Sequence, residues 1–419
     1  LDLLEQMPKL DEIAGAPSSG RQWTKGQGFQ PNARGKSPNP KPRLWADSML
    51  YIQASHKFPP LLLLPSDCSE IGDRFASLHR PRDPRIFNPP LVLISQGIGE
   101  ESLPKVAYAD FPVLFQHSLQ SICGPKEDED LLLFLTVYLR SHLAKYYLFH
   151  TSANWGTERD KVQLTELLRI PFPLPGSEYA HKDAEKIVRL VASKMRALRK
   201  HIATHLQNAE DLLLLEEDGD DRRKRAAALQ NELEPLIYRY FGLVEQEVLL
   251  VEDTVNVSIP SATPGDILKP IPSQAPINRA NIGPYSQRLA PYAETLSDTL
   301  NDWARQSGSN VKVAITGGQH KSSGMVCLMV DLTLEACPFK EAAPSDKSIA
   351  AATKLAASAS DRIGCLDYLR GVIVFHGSQI YIFKPDTLIN WTRTAALNDA
   401  AEIYARIAHA RQTMRGANA

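Results

Sequence analysis

Three arginines in one short, proline-containing stretch have the residue types and the spacing to bind anionic groups. Arg80, Arg82 and Arg85 stand in the run Arg-Pro-Arg-Asp-Pro-Arg. Proline fixes its own φ and so stiffens such a loop. A guanidinium can donate two parallel hydrogen bonds to a phosphate or to the edge of a guanine. The pattern therefore indicates either a loop that binds nucleic acid or an exposed basic loop without a partner.

The segment around these arginines is basic, although the whole chain carries a formal net charge of −1. Residues 21–90 contain eleven Lys or Arg and five Asp or Glu, so their local charge is 11 − 5 = +6. A near-zero total can hide local fields of opposite sign. Lys25, Gln27 and Gln96 add polar side chains that could meet base edges. The distribution favours a nucleic-acid surface in this part of the chain.

Other motifs that could support catalysis are absent or incomplete. Asp331, Glu335 and Lys340 resemble the acid and lysine set of a metal-dependent nuclease, but the spacing from Glu to Lys is wrong, and strand-end charges that face water explain them better. The chain has no phosphate-binding Gly-x-x-x-x-Gly-Lys loop and no Gly-x-Ser-x-Gly elbow. We therefore predict no catalytic, cofactor-binding or metal-binding residue in this chain.

The cysteines and the hydropathy pattern restrict the environment of the protein. The five cysteines are widely separated and never form Cys-x-x-Cys, which indicates neither a disulfide framework nor a zinc site. No run approaches the roughly 20 apolar residues that cross a bilayer. We therefore expect a cytoplasmic protein without a membrane partner.

The elements that would position these residues follow from periodicity. Residues 21–180 combine proline-rich loops and short strands with an apolar helical stretch from Glu129, and residues 183–253 are rich in helix formers, with a break expected at the acidic run 216–221. Residues 254–284 have the composition of a linker. Residues 285–419 alternate helices with four strands, of which 371–375 and 379–383 are joined by a His-Gly-Ser hairpin turn. We predict an α+β fold that ends in a C-terminal α+β domain with a mainly antiparallel sheet.

Several pieces of the chain, taken in order, resemble the target-recognition region that follows the catalytic domain in adenine-specific DNA methyltransferases of the type IIG and type I-like families. The pieces are Trp23-Thr-Lys-Gly-Gln-Gly-Phe-Gln30, Phe87-Asn-Pro-Pro-Leu-Val-Leu-Ile-Ser-Gln-Gly97, Val106-Ala-Tyr108 with Phe115 to Ile122, Leu139 to Tyr147 with Trp155 to Arg159, Ile170-Pro-Phe-Pro173, and Glu232 to Leu243. One departure is Arg140, where the family usually has Asn. Residues from about 285 onward carry no resemblance that we can name.

The resemblance implies double-stranded DNA as the partner and a mixed β/α target-recognition domain at 21–180. From composition and periodicity we expect 1–20 to be a residual helix of a preceding domain, 183–253 a helical connector, 254–284 a linker and 285–419 a separate domain. The expected DNA contacts are Lys25, Gln27, Arg43, Arg80, Arg82, Arg85, Gln96 and Arg159. Trp155 could stack on a base or fill a seam in the core, and we favour the second role.

The same resemblance implies that the methylation chemistry belongs to a catalytic domain before Leu1 in the intact protein. That domain would bind S-adenosylmethionine, in a setting of restriction-modification or phage defence. In this chain Asn88-Pro89-Pro90 is followed by Leu91, which lacks the aromatic ring that stacks on a flipped adenine. We therefore expect this chain alone not to be an enzyme. The alternative is a protein-interaction or scaffold subunit that docks a nuclease or helicase partner.

Overall fold

The structure is a computed structural model. It describes residues 1–15, 20–31, 49–53, 58–71, 78–80, 82–98, 104–152, 161–208, 212–262, 271–277, 289–319, 325–333, 335, 337–342, 350 and 371–417. For 31, 78–80, 205–208, 212–220, 272 and 414–417 the structure describes only the backbone. Three residues of the sequence predictions, Arg43, Trp155 and Arg159, lie outside the described residues.

The described residues form an α+β fold, which confirms the predicted class. They divide into two compact units, Leu1–Val244 and Glu245–Ala419. Among the described helices, none combines the length and the apolar character needed to cross a bilayer.

The first unit contains six helices and ten strands in its described part. The helices are α1 (Asp2–Glu5), α2 (Glu129–Tyr138), α3 (His142–Thr151), α4 (Leu164–Leu167), α5 (Ala184–Asn208) and α6 (Leu212–Tyr240). The strands are β1 (Thr24–Gln27), β2 (Gln30–Pro31), β3 (Leu50–Ile52), β4 (Leu61–Leu62), β5 (Ser69–Glu70), β6 (Leu78–Arg80), β7 (Leu91–Ile98), β8 (Pro104–Ala109), β9 (Val113–Phe115) and β10 (Leu119–Cys123).

A five-stranded sheet in the order β1-β10-β7-β8-β4 forms the centre of the first unit. All its pairs are antiparallel except the parallel pair of β4 and β8. One face carries Leu91, Leu93 and Leu119, which lie in a core cluster with Phe87 and Phe115. The alternate positions, such as Val92 and Ile94, are fully buried on the other face. Helix α2 contacts β7 and β8, so the sheet has core on both sides.

Two sequence pieces of the resemblance meet in one aromatic cluster in the core. The ring centroid of Phe134 on α2 lies 4.3 Å from that of Tyr240 at the end of α6 and 6.2 Å from that of Phe172. The Tyr240 hydroxyl donates to the Pro173 carbonyl at 2.5 Å. These residues therefore stabilise the fold and are unavailable as a recognition surface.

The apolar stretch from Glu129 forms two helices instead of the continuous helical pattern in the sequence. Helix α2 ends at Tyr138, and the Ser141 side chain caps α3 by accepting from the Ala144 amide at 3.2 Å. Glu234 on α6 accepts from the His142 amide at 3.0 Å and so satisfies a second free amide of that helix start. Arg140 is buried at this turn.

Helices α5 and α6 are held to the sheet by ion pairs. Arg199 on α5 pairs with Asp110, and Arg222 on α6 donates to Asp67 at 2.7 Å and to the Leu62 carbonyl. The break expected at 216–221 was wrong, because α6 continues through the acidic run. The single Gly219 costs a helix only about 1 kcal/mol relative to alanine, and the leucines before the acidic run and the Arg, Lys and Ala residues after it are strong helix formers.

The N-terminal segment belongs to the first unit, in contrast to the predicted residual helix of a preceding domain. Within the described residues 1–15, the α-helix is limited to Asp2–Glu5, and the Leu10 amide donates to the Ile170 carbonyl at 3.0 Å. Leu4, Met7, Leu10, Ile13 and Ala14 are buried. Packing within the first unit therefore explains the apolar residues of this segment.

The second unit contains α7 (Glu245–Asp253), α8 (Ile259–Ala262), α9 (Leu289–Gln306) and α10 (Arg393–Ala417), with the strands β11 (Lys312–Gln319), β12 (Met325–Thr333), β13 (Lys340–Glu341), β14 (Val372–His376) and β15 (Gln379–Pro385). The sheet order is β13-β11-β12-β15-β14, and only β11 with β13 is parallel. The mainly antiparallel sheet and the β14–β15 hairpin are thus confirmed. Gly377 takes φ +59° in its turn, a conformation that favours glycine.

A buried charged group joins the sheet and helices of the second unit. Lys384 on β15 and the Tyr292 hydroxyl on α9 both donate to the Asp399 carboxylate on α10. The side chains of Lys384 and Asp399 are 11% and 9% exposed. Burial and the neighbouring Asp399 charge raise the pKa of Tyr292 well above its usual value. The group therefore acts as a structural crosslink between three elements.

The described part of the predicted linker 254–284 is not a linker. Residues Thr254–Ser258 form a π-helical turn that continues into α8, and Val255, Val257 and Ile259 are buried. Asp253, at the end of α7, accepts from the Thr394 amide at 2.6 Å at the start of α10. Val255, Val257 and Ile259 alternate with polar residues and do not show a helical apolar periodicity. The sequence pattern therefore did not predict their burial.

Candidate nucleic-acid interface

Lys25 and Gln27 lie on β1, an edge strand of the central sheet. Their register partners on β10 are Ile122 and Gln120. Because residues two apart share a strand face, Lys25 and Gln27 point to the same side. Both are half-buried, and the Lys25 stem lies beside Gly15. Within the described part of the chain, neither polar end has a hydrogen-bond partner.

The end of β1 is fixed by a close backbone approach at Gly28. A Cβ at this position would lie 2.4 Å from the carbonyl oxygens of both Phe115 and Gln116. The Gly28 amide donates to the Leu119 carbonyl at 3.0 Å, and the next residue, Phe29, is fully buried. Only glycine fits here, and it determines where Gln27 stands relative to the turn that precedes β10.

Arg82 lies beside this point. Its Nε donates to the Gly28 carbonyl at 3.2 Å, and its backbone has φ +70°. A left-handed conformation costs a non-glycine residue about 1–3 kcal/mol. Leu61 has φ +64° in the core, so the conformation alone does not indicate function. The relevant consequence of this conformation is the position of the Arg82 guanidinium at the end of β1.

Arg85 is exposed and paired with a local carboxylate. Its Nη2 lies 2.6 Å from Asp83, whose side chain also accepts from the Arg85 amide at 3.0 Å. Hydrogen bonds from Arg85 hold the pKa of Asp83 below its usual value. The charge of Arg85 is therefore partly compensated, and the arginine stretch is weaker as a cluster than its sequence suggests.

Gln96 lies on β7, two residues after Ile94, where the pairing of β7 with β8 is irregular. Its amide donates to the Ser118 carbonyl at 3.1 Å, and its carbonyl accepts from the Val162 amide at 2.9 Å. The half-buried Gln96 carboxamide has no hydrogen bond to another described residue. The turn at Gln116 to Ser118 thus adjoins both Gln96 and the end of β1.

The structure thus brings some of the expected DNA contacts together. Gln27 is the last residue of β1, Arg82 donates to the Gly28 carbonyl next to it, and the Gln96 amide donates to the Ser118 carbonyl just before β10; Lys25 lies on the same face of β1 as Gln27. The Arg80 backbone pairs with Gln30 at the start of the neighbouring two-stranded ribbon. We refer to Lys25, Gln27, Arg82 and Gln96 as the β1 surface.

Sequence reasoning missed two residues of this region. Gln116 donates to the Tyr51 hydroxyl at 2.8 Å, which holds the turn before β10 against β3. Gln120 is fully buried between Gln27 and Ile94 in the sheet. A polar residue within an apolar strand was the available signal for Gln120.

The motif Asn88-Pro89-Pro90 does not fit the role of the methyltransferase motif that stacks on a flipped adenine. Leu91 after this motif is fully buried as the first residue of β7 and packs in the core. A flipped base would need an open aromatic face at that position.

The residues that suggested a nuclease are not assembled around a metal site. Glu335 and Lys340 are exposed, and Asp331 lies on β12 opposite Ala314. Within the described ranges, no three His, Cys, Asp or Glu side chains are grouped so that they could hold a metal ion.

Comparisons with known proteins do not assign this chain to a family. No protein-family model matches the chain, and no curated protein matches it. One solved chain with a weak likeness comes from work on complex assembly and conformational transition of the type I restriction-modification system, with a TM-score of 0.25 and 12% identity. The match covers 56% of this chain and 45% of that chain. A likeness of this size establishes neither fold nor function, so the proposal below depends on the β1 surface.

Proposed function

We propose that the first unit binds double-stranded DNA in a sequence-specific manner through the β1 surface. The observation that carries the proposal is the convergence of Gln27, Gln96 and Arg82 at the ends of β1 and β10. Carboxamides can bind adenine edges through two hydrogen bonds, and guanidinium groups can bind guanine or phosphate in the same way. The surrounding excess of basic residues supplies affinity for the backbone.

In this proposal the chain is the recognition portion of an adenine-specific DNA methyltransferase in restriction-modification or phage defence. S-adenosylmethionine and the catalytic residues belong to a separate catalytic domain, which is a proposed partner. The sequence resemblance supports this assignment. A chain with this role alone should show no methyltransferase activity and should act by placing a target sequence.

The alternative is a subunit that docks a nuclease or helicase. The ion pairs of Arg199 and Arg222 favour a fixed position of α5 and α6 against the sheet, which would suit a scaffold as well as a DNA clamp. Only the DNA proposal assigns a role to the polar side chains of the β1 surface, so we prefer it.

A selection from random duplexes tests sequence-specific binding. The full chain is immobilised, incubated with a library of duplexes that contain a randomised central region, and the retained DNA is sequenced over several rounds. We expect one motif to become enriched. Retention that leaves the library random would contradict sequence-specific recognition, and recovery of single strands only would contradict the duplex as the ligand.

Asp83→Asn should strengthen DNA binding. The substitution removes a negative charge beside the interface and releases Arg85 from its carboxylate partner. We expect higher affinity at low salt, with a steeper dependence of log affinity on log salt by about one unit, because one further cation reaches phosphate. Fluorescence anisotropy over a salt series measures both quantities.

Glu178→Gln is the matched control, because it removes the same charge at an exposed position of the same unit. It should change neither affinity nor slope appreciably. Equal effects of the two substitutions would show that only net charge matters and would contradict a role for Arg85.

A further inference from the structure

Gln120 is a buried carboxamide without a hydrogen-bond partner. Its relative exposure is 0%, and neither its Nε2 nor its Oε1 forms a hydrogen bond in the structure. Buried polar groups are nearly always paired, because an unpaired one retains its full desolvation penalty. A leucine would fill such a position in a sheet without that penalty. Stability therefore does not explain why a glutamine occupies this position, and another role is indicated.

The position of Gln120 relative to Gln27 suggests that role. The two residues are directly opposite on β10 and β1. Since the next pair, Gly28 and Leu119, is hydrogen-bonded, Gln27 and Gln120 form a non-hydrogen-bonded pair, in which side chains approach most closely. Gln27 is half-buried and its carboxamide is also unpaired with any described residue. Two adjacent amides, one buried and one reaching solvent, can form a hydrogen bond to each other after a side-chain rotation.

We propose that Gln120 is a positioning residue that orients the Gln27 carboxamide for a base edge. The inference rests on the proposed DNA-binding function and deepens it. A carboxamide that binds adenine uses one N–H and one lone pair of its oxygen. The remaining N–H or lone pair of Gln27 is then free for Gln120. This second hydrogen bond decides which end of the Gln27 amide faces the donor and which faces the acceptor of the base.

Gln120→Leu separates positioning from stability. Removal of an unpaired buried amide should leave the thermal midpoint of the full chain unchanged or higher. Affinity for the selected duplex should fall about tenfold, the scale of one well-placed base contact. Discrimination between that duplex and one altered at the critical adenine should fall by the same factor, which a merely structural residue would not cause.

A double-mutant cycle identifies the residue through which Gln120 acts. Gln27→Ala alone should weaken binding by a similar factor, and Gln120→Leu should have almost no further effect in the Gln27→Ala background. Gln230→Leu is the control. Gln230 is also buried, but its Nε2 donates to the Val137 carbonyl and to Glu234. That variant should lower the thermal midpoint and leave DNA discrimination unchanged.

The outcomes separate the two claims. If the wild-type chain enriches no duplex, both the proposed function and this inference are overturned. If the wild type binds a specific duplex and Gln120→Leu binds it equally well, only the inference fails. Independent, additive effects of Gln27→Ala and Gln120→Leu would also overturn it, as would a loss of stability in Gln120→Leu that matches the loss in Gln230→Leu.

Discussion

Gly28→Ala is expected to destabilise the first unit and to abolish specific DNA binding together. The added Cβ would lie 2.4 Å from two backbone carbonyl oxygens, at Phe115 and Gln116, and backbone atoms cannot rotate away. Relief requires β1 or the turn before β10 to move. We expect a loss of about 1–3 kcal/mol in the free energy of unfolding, as for other overpacked sites. Since Gln27 and Arg82 both adjoin Gly28, the same shift displaces the β1 surface.

Gly97→Ala is the stability control for this prediction. At Gly97 an added Cβ would meet only the Ser95 hydroxyl, at the ordinary contact distance of 3.7 Å. Chemical denaturation of both variants should show a loss for Gly28→Ala alone. Comparable stability of the two variants would mean that the backbone at Gly28 yields easily, and the fixed geometry that we assign to the β1 surface would be wrong.

Asp399→Ala should have the largest effect on the second unit. The substitution leaves the Lys384 ammonium buried without its carboxylate and removes the acceptor of the Tyr292 hydroxyl. Breaking a buried pair by removing one partner typically costs about 3–5 kcal/mol, because an uncompensated charge stays inside. Calorimetric unfolding of the full chain should show the transition of this unit at a much lower temperature.

Asp302→Ala provides the comparison within the same unit. Asp302 pairs with Arg305, but their side chains are 55% and 77% exposed. Exposed ion pairs contribute about 0–1 kcal/mol, so this variant should unfold close to the wild type. Similar transitions for Asp399→Ala and Asp302→Ala would contradict the crosslinking role of the buried group.

The parts of the fold that depend on local sequence were predictable. The strands of the β14–β15 hairpin and the turn at Gly377 follow from a β-rich composition on both sides of a His-Gly-Ser turn. The break between α2 and α3 was missed, because it depends partly on Glu234, which reaches the start of α3 from α6. The helical turns after Asp253 were also missed, because their apolar residues are buried by segments that are distant in the sequence.

In the candidate site, too, the features that depend on contacts between distant segments were not predictable from the sequence. The residue types of Lys25, Gln27 and Gln96 indicated possible base contacts, and these contacts remain predictions. The pair of Asp83 and Arg85 is local and could have been anticipated from their separation by one residue. The roles of Gly28 and Gln120 depend on the register of β1 on β10, and sequence periodicity does not determine the register between distant strands.

The salt dependence of duplex binding is the most direct test of the proposed DNA binding by the first unit. The full-length wild type and a variant with Arg80, Arg82 and Arg85 changed to Ala are titrated with the selected duplex at several salt concentrations. We predict that the variant binds more weakly and that its slope of log affinity against log salt is smaller by about two units, because Arg85 is partly compensated by Asp83. Identical affinities and slopes for the two proteins would contradict the proposal that the duplex is bound at Arg82 of the β1 surface and at the arginines beside it.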